Sequence, residues 1–182
     1  MMAQEAAKAV KRQVREVSVP TTDIYTLSVL AAYAVANSQV ATSALAYTDI
    51  YQKILVQNAA LTDAEVPEEG RILFINATNY NLLKRDPEFM KACDTTVRDL
   101  KKGVVGEVDG LKIIVCPASY FIANFGFMIV HEAVAVRPTK FNSVRILDEV
   151  QGIDGWVAEG RRYYDVIIPS NKSVAIRLHK IA

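Results

Sequence analysis

Residues 65–83 read EVPEEGRILFINATNYNLL, and the order of signals inside this stretch decides the fold class. Val66-Pro67-Glu68-Glu69-Gly70 is a break, since proline and glycine punctuate regular structure. Residues 71–76 (RILFIN) are then short and nearly all apolar, which predicts a strand buried on both faces. Thr78-Asn79 opens a short helix directly after it. A buried strand passing at once into a helix marks a mixed αβ segment.

Upstream the pattern is helical. Ala6, Val10, Val14 and Val17 recur at spacings of three and four, with Lys8, Lys11, Arg12 and Arg15 mostly on the other side, so residues 3–17 read as a helix. Pro20 is expected to stop it, with Thr21, Thr22 and Asp23 as caps for a second helix. The second helix carries an apolar stripe of Ile24, Leu27, Leu30, Ala31, Ala34 and Val35, and its many alanines allow close neighbours. A polar link covers residues 37–43. Thr48 or Asp49 then caps a third helix with Ile50, Ile54 and Leu61 on one face.

Downstream, Asp86-Pro87 starts a helix running to about Leu100, with Pro87 at its first position and Lys101-Lys102-Gly103 at its end. The remainder is mainly strand. Residues 104–108 and 111–116 form a hairpin around Asp109-Gly110, a dipeptide suited to positive φ. Residues 117–126 are an aromatic loop. Further strands are expected over 127–136, broken near His131-Glu132, and over 143–150, 156–158, 163–168 and 173–179. Helices, then a mixed segment, then strands make an α+β chain rather than a βαβ repeat. No internal repeat is visible.

Composition bounds the function. The 182 residues are 51% hydrophobic and 23% charged, as in an ordinary globular protein. Lys+Arg (21) and Asp+Glu (20) nearly cancel, so the net charge of +1 gives no bulk drive towards nucleic acid or anionic membrane. The basic side of the first helix is a solvated face rather than a nucleic-acid site, since its four charges lack aromatic interleaving. Cys93 and Cys116 are far apart and read as reduced, buried thiols. No secretory signal and no membrane-length apolar run is visible, which reads as a cytoplasmic-type soluble chain.

Recognisable catalytic chemistry is missing. His131-Glu132 invites a zinc-protease reading, but position 135, where the second ligand belongs, is Ala. No serine stands in a GxSxG elbow, no cysteine has a base beside it, and the glycines of 103–110 precede strands rather than a helix. His179 reads as a surface residue. The enzyme alternative is a small α+β hydrolase using His131 with Glu132 or Asp165. Tyr120, Phe121, Phe125 and Phe127 make the loop dense in aromatics; it either meets a partner or folds back on its own sheet.

Five segments, in order, resemble tailed-phage major capsid proteins. Ser18-Val19-Pro20-Thr21-Thr22-Asp23-Ile24-Tyr25 leads into an Ala-rich helix. Glu65-Val66-Pro67 is followed by Gly70-Arg71-Ile72-Leu73-Phe74-Ile75, and 79–84 looks like the short helix after it. Residues 103–114 resemble the family hairpin. Residues 152–155, 160–165 and 172–176 are similar to its C-terminal strands. The resemblance spans about 18–178 and implies the Hong Kong 97 capsid fold. On that pattern 1–36 is the spine-helix region of the peripheral domain, 37–70 a helical connection, and 71–140 mostly the axial αβ domain. Residues 141–182 are strands returning to the peripheral domain. The N-terminal arm and extended loop that family members carry before the spine have no counterpart, so the match is to the family's C-terminal portion.

The resemblance implies a structural shell subunit of a phage or prophage virion, assembled in the bacterial cytoplasm into pentamers and hexamers. It implies no enzyme activity, cofactor, metal or membrane. Partners would be copies of itself, with scaffold or portal proteins, and packaged DNA at most indirectly. Candidate intersubunit contacts are Tyr120, Phe121, Phe125, Phe127, Asp148, Glu149, Asp154, Arg161 and Arg162, with the charged faces of the first helix. The alternative shell is a bacterial nanocompartment of the same fold.

Overall fold

The computed structural model describes residues 2–89, 104–147, 150–152 and 155–182. They form two compact units: Met1–Thr26 with Val136–Ile167, and Leu27–Ala135 with Ile168–Ala182. This division differs from the expected one. Residues 27–36 belong to the second unit, and the expected C-terminal segment is split between both.

The first unit begins with helix α1 (Met2–Gln13), which continues through a π-helical turn (Val14–Ser18) into α2 (Val19–Ala36). Pro20 therefore does not stop the helix. Proline has no N–H to donate, and the wider turn absorbs that loss: the Val19 N–H reaches back to the Val14 carbonyl. Thr21 and Thr22 are not caps. Their hydroxyls donate to the Val17 and Ser18 carbonyls, each at 2.7 Å.

The second unit holds a mixed sheet. In chain order its strands are β1 (Val40–Thr42), β2 (Arg71–Asn76), β3 (Val104–Val108), β4 (Leu111–Cys116) and β5 (Phe125–His131), with the later Ile176–Lys180. Among the described residues the two strands between, β6 (Thr139–Leu147) and β7 (Val157–Tyr164), pair with each other alone, as an antiparallel ribbon in the first unit. Ile176–Lys180 is then β8, and the sheet order is β1-β8-β5-β2-β4-β3. β2 lies inside this sheet, parallel to β4 and antiparallel to β5, as its apolar run requires. The β3–β4 turn places Asp109 and Gly110 at φ of 48° and 73°.

β1 falls within what reads as a polar link. Its three residues pair parallel with β8, Ala41 opposite His179. β8 thus joins the sheet of β2 and β4, because its buried apolar residues Ile176 and Leu178 fill the space between β1 and β5. Parts of the expected strands 156–158 and 163–168 merge into the single strand β7, whose polar middle Glu159-Gly160-Arg161 is exposed, and of 165–168 only Ile167 makes a bridge, to Val136. The expected helix from Pro87 is described only in its first turn; the rest, with Cys93, lies outside the described residues.

Helices α3 (Ile50–Asp63) and α4 (Ala77–Lys84) complete the second unit. Asn76 caps α4, its side chain accepting the Asn79 N–H at 2.7 Å. Ile50, Ile54 and Leu61 of α3 join Leu73, Ile113, Phe127 and Leu178 in one core, with Leu27, Leu30, Ala31 and Ala34 of α2. Asp86 is buried and serves two helix starts at once. It accepts the Tyr51 N–H of α3 at 3.3 Å and the Glu88 N–H at 3.0 Å. Asp86→Ala is expected to lower stability by about 1–2 kcal/mol, the usual cost of losing a cap. A urea midpoint equal to that of the parent chain contradicts this role.

Candidate functional site

His179 and Ser43 are the described pair closest to a catalytic arrangement. Ser43 Oγ lies 2.9 Å from His179 Nε2. Ser43 follows β1 and His179 lies on β8, which pairs with β1, so the sheet brings together residues that no local motif links. His179 is 2% exposed and stacks on Phe127, ring centres 4.9 Å apart at 11°. Its Nδ1 is buried and has no hydrogen-bond partner. A general base needs access to substrate and a group that orients its second nitrogen, and this ring has neither. The surface reading of His179 is thereby corrected: the strand carries it inward.

The residues of the hydrolase alternative are occupied separately. His131 Nδ1 accepts the Ala133 N–H at 3.1 Å and caps the short turn Glu132–Val134. The Glu132 N–H donates to the Gly70 carbonyl at 2.9 Å. Asp165 accepts the Tyr25 hydroxyl at 3.0 Å and the Val166 N–H at 2.7 Å. His131 and Asp165 belong to different units. Among the described residues no group of three His, Cys, Asp or Glu side chains could hold a metal.

The aromatic loop folds back on its own sheet. Phe125 and Phe127 are buried, and Phe121 stacks on Phe125 with ring centres 3.8 Å apart at 4°. Tyr120 and Phe121 pack half-buried against the same core. Pairing in the sheet turns Phe125 and Phe127 inward, so neither offers its ring at the surface of this chain.

The first unit is different in kind. Among its described side chains only Thr22 and Val166 are buried. Val136, Val144, Trp156, Tyr163 and Ile167 are each about half exposed, from 46% to 59%. α1, the π turn and the ribbon enclose an open groove of about 830 Å³, lined by Val10, Val14, Val144, Gly160, Arg161 and Arg162. Arg161 is exposed; Arg162 is half-buried, its guanidinium 5.8 Å from the Tyr164 ring centre. Arg145 pairs with Glu159 across the ribbon, and Arg137 with Asp23 of α2 at 3.2 Å. Asp148, Glu149 and Asp154 lie outside the described residues. Reading strand by strand, the sequence shows alternation in 143–150 but does not show which apolar side chains of the ribbon stay exposed.

This architecture, a long N-terminal helix with an α+β body and a separate β ribbon, is the Hong Kong 97-type capsid fold. Known structures carry it. A chain from Mycobacterium phage Che8 superposes with a TM-score of 0.68 at 18% identity, covering 94% of this chain and 62% of that one. A chain from the capsid structure of the Cyanophage P-SCSP1u gives 0.55 at 15% identity, covering 76% of this chain and 48% of that one. The chain thus spans less than two thirds of either neighbour. No family profile and no curated protein sequence matches it.

Proposed function

We propose that this chain is a structural subunit of a phage-type capsid shell, not an enzyme, and that it joins copies of itself into pentameric and hexameric rings. The observation that carries this reading is the first unit. Within a chain of capsid-type fold, it leaves large apolar side chains exposed on a helix and on and beside a two-stranded ribbon. Such a ribbon is marginal alone and gains stability from a covering surface. Neighbouring copies provide that cover in a closed shell, where modest contacts are multiplied by symmetry.

On this reading the first unit is the peripheral domain and the second carries the axial domain. Arg161 and Arg162, with the exposed parts of Tyr120 and Phe121, meet neighbouring copies, and Asp148, Glu149 and Asp154 supply opposite charges. Scaffold or portal proteins are further partners, DNA is met at most indirectly, and the site of action is the virion shell after assembly in the bacterial cytoplasm.

Val144→Asp combined with Tyr163→Asp tests the surface. Both side chains are about half exposed, so the fold should persist, which a cooperative urea transition of the double variant checks. Light scattering should show association lost. A double variant that associates like the parent overturns this assignment.

A further inference from the structure

We propose that His179 is an acid-sensitive latch that holds strand β1 to the sheet edge. β1 is three residues long and pairs only with β8. Besides the short ladder with β8, two backbone bonds at its ends tie it there: Leu178 N–H to the Gln39 carbonyl at 3.0 Å, and Ser43 N–H to the Lys180 carbonyl at 3.1 Å. The side-chain tie is the contact of His179 Nε2 with Ser43 Oγ. So short an edge strand has few backbone bonds, so one buried side-chain contact weighs in its attachment.

The slot that holds the ring accepts the neutral form alone. One face lies on Phe127. Nδ1 faces the backbone at Gly126, where even a Cβ atom would come within 2.6 Å of it. With Nε2–H donating to Ser43, the bare Nδ1 lone pair is tolerable. A proton on Nδ1 is a buried N–H without an acceptor on a buried cation. The charged groups around the ring do not rescue it. α3 presents Lys53 with Asp49 at its start, in an ion pair of 2.6 Å, and the strand itself carries Arg177 and Lys180. The paired residues of β1 and β5, Val40–Thr42 and Phe125–Val130, carry no ionisable group.

Burial, and then the Lys53 charge, push the His179 pKa below its ordinary value, with Asp49 opposing. An exposed histidine takes its proton near pH 6.5. The opened state therefore binds the proton first, and attachment of β1 is full above about pH 6.5 and weakens as pH falls below it. Asp49 is held below the usual carboxylate range by its bond to Lys53 and stays charged through this window. The ring reaches water only by leaving Phe127 and Ser43, which releases residues 39–43 between α2 and α3. This latch does not depend on the shell reading.

Hydrogen exchange on the full chain at about pH 7 and about pH 5, corrected for intrinsic rates, tests it. Protection of the Ser43 and Leu178 amides is expected to fall on the order of tenfold at the lower pH, with β2 and β4 unchanged. His179→Gln keeps a donor near Ser43 without a titratable nitrogen and should abolish the change. His131→Gln should retain it. Equal protection at both pH values overturns the latch, as does a loss that persists in His179→Gln or spreads evenly over the sheet. If His179→Gln does not fold, Ser43→Ala serves instead. Its ring is still buried, so it must keep the acid response, and absence of that response overturns the proposal.

Discussion

Arg71→Ala is expected to lower the unfolding free energy by about 3–5 kcal/mol, the upper range for a large buried side chain whose loss opens a cavity and strands several acceptors. Arg71 is 1% exposed, although it opens a strand directly after a break. Its guanidinium has no carboxylate partner among its hydrogen bonds. It donates to the Pro67 carbonyl at 2.9 Å, to Asn58 Oδ1 at 2.6 Å and to Thr62 Oγ1 at 3.0 Å, and also to the Val66 carbonyl. These acceptors lie near the end of α3 and in the loop after it, where helix carbonyls lack partners and the dipole favours a cation. Alanine leaves them buried and unpaired as well as leaving a cavity. Arg71→Lys should recover only part of the loss, since an ammonium cannot span acceptors arranged for a planar fork. Urea unfolding measures both. A lysine variant as stable as the parent would show that charge alone matters here, and an alanine variant within 1 kcal/mol would remove the account of this joint.

Gly126→Ala is expected to cost about 2–3 kcal/mol, at the upper end of overpacking in a dense core. The pairing of β5 with β8 shifts register between Phe125 and Phe127, so Gly126 marks an irregularity opposite His179. An added Cβ would lie 2.6 Å from His179 Nδ1 and 2.9 Å from the His179 carbonyl oxygen, with Leu45 at 3.1 Å. The ring cannot yield without leaving Phe127 and Ser43, and the carbonyl is fixed in the strand. The same substitution should therefore blunt the acid response of β1, because the displaced ring already meets water. Thermal melting gives the first effect and hydrogen exchange at the two pH values the second. An alanine variant that melts with the parent contradicts both.

Local patterns in the chain foretell most of the fold. The run 71–76, the Asp109-Gly110 hairpin and the helices over 50–63 and 77–84 follow from apolar spacing, turn chemistry and caps that act within a few residues. What the pattern misses is set by distant partners. Pro20 reads as a stop because a π turn upstream is not encoded by spacing. Val40-Ala41-Thr42 reads as a link because its pairing strand lies at the far end of the chain. His179 reads as exposed because its cover, Phe127 and Ser43, comes from two other segments. Arg71 reads as the polar start of a strand, whereas the loop carbonyls that bury it appear only once α3 is folded above β2. The contact surface is the least legible part. Aromatic density points to Tyr120–Phe127, yet the sheet takes Phe125 and Phe127 inward, while exposed apolar side chains of the first unit lie on its helix and on and beside the ribbon.

On the proposed function, this chain builds shells from copies of itself. Sedimentation velocity over a rising concentration series, with electron microscopy of each fraction, tests it most directly. The account predicts growth from monomer to species of five or six chains and to larger closed or curved assemblies. A strictly monomeric chain at every concentration would contradict it.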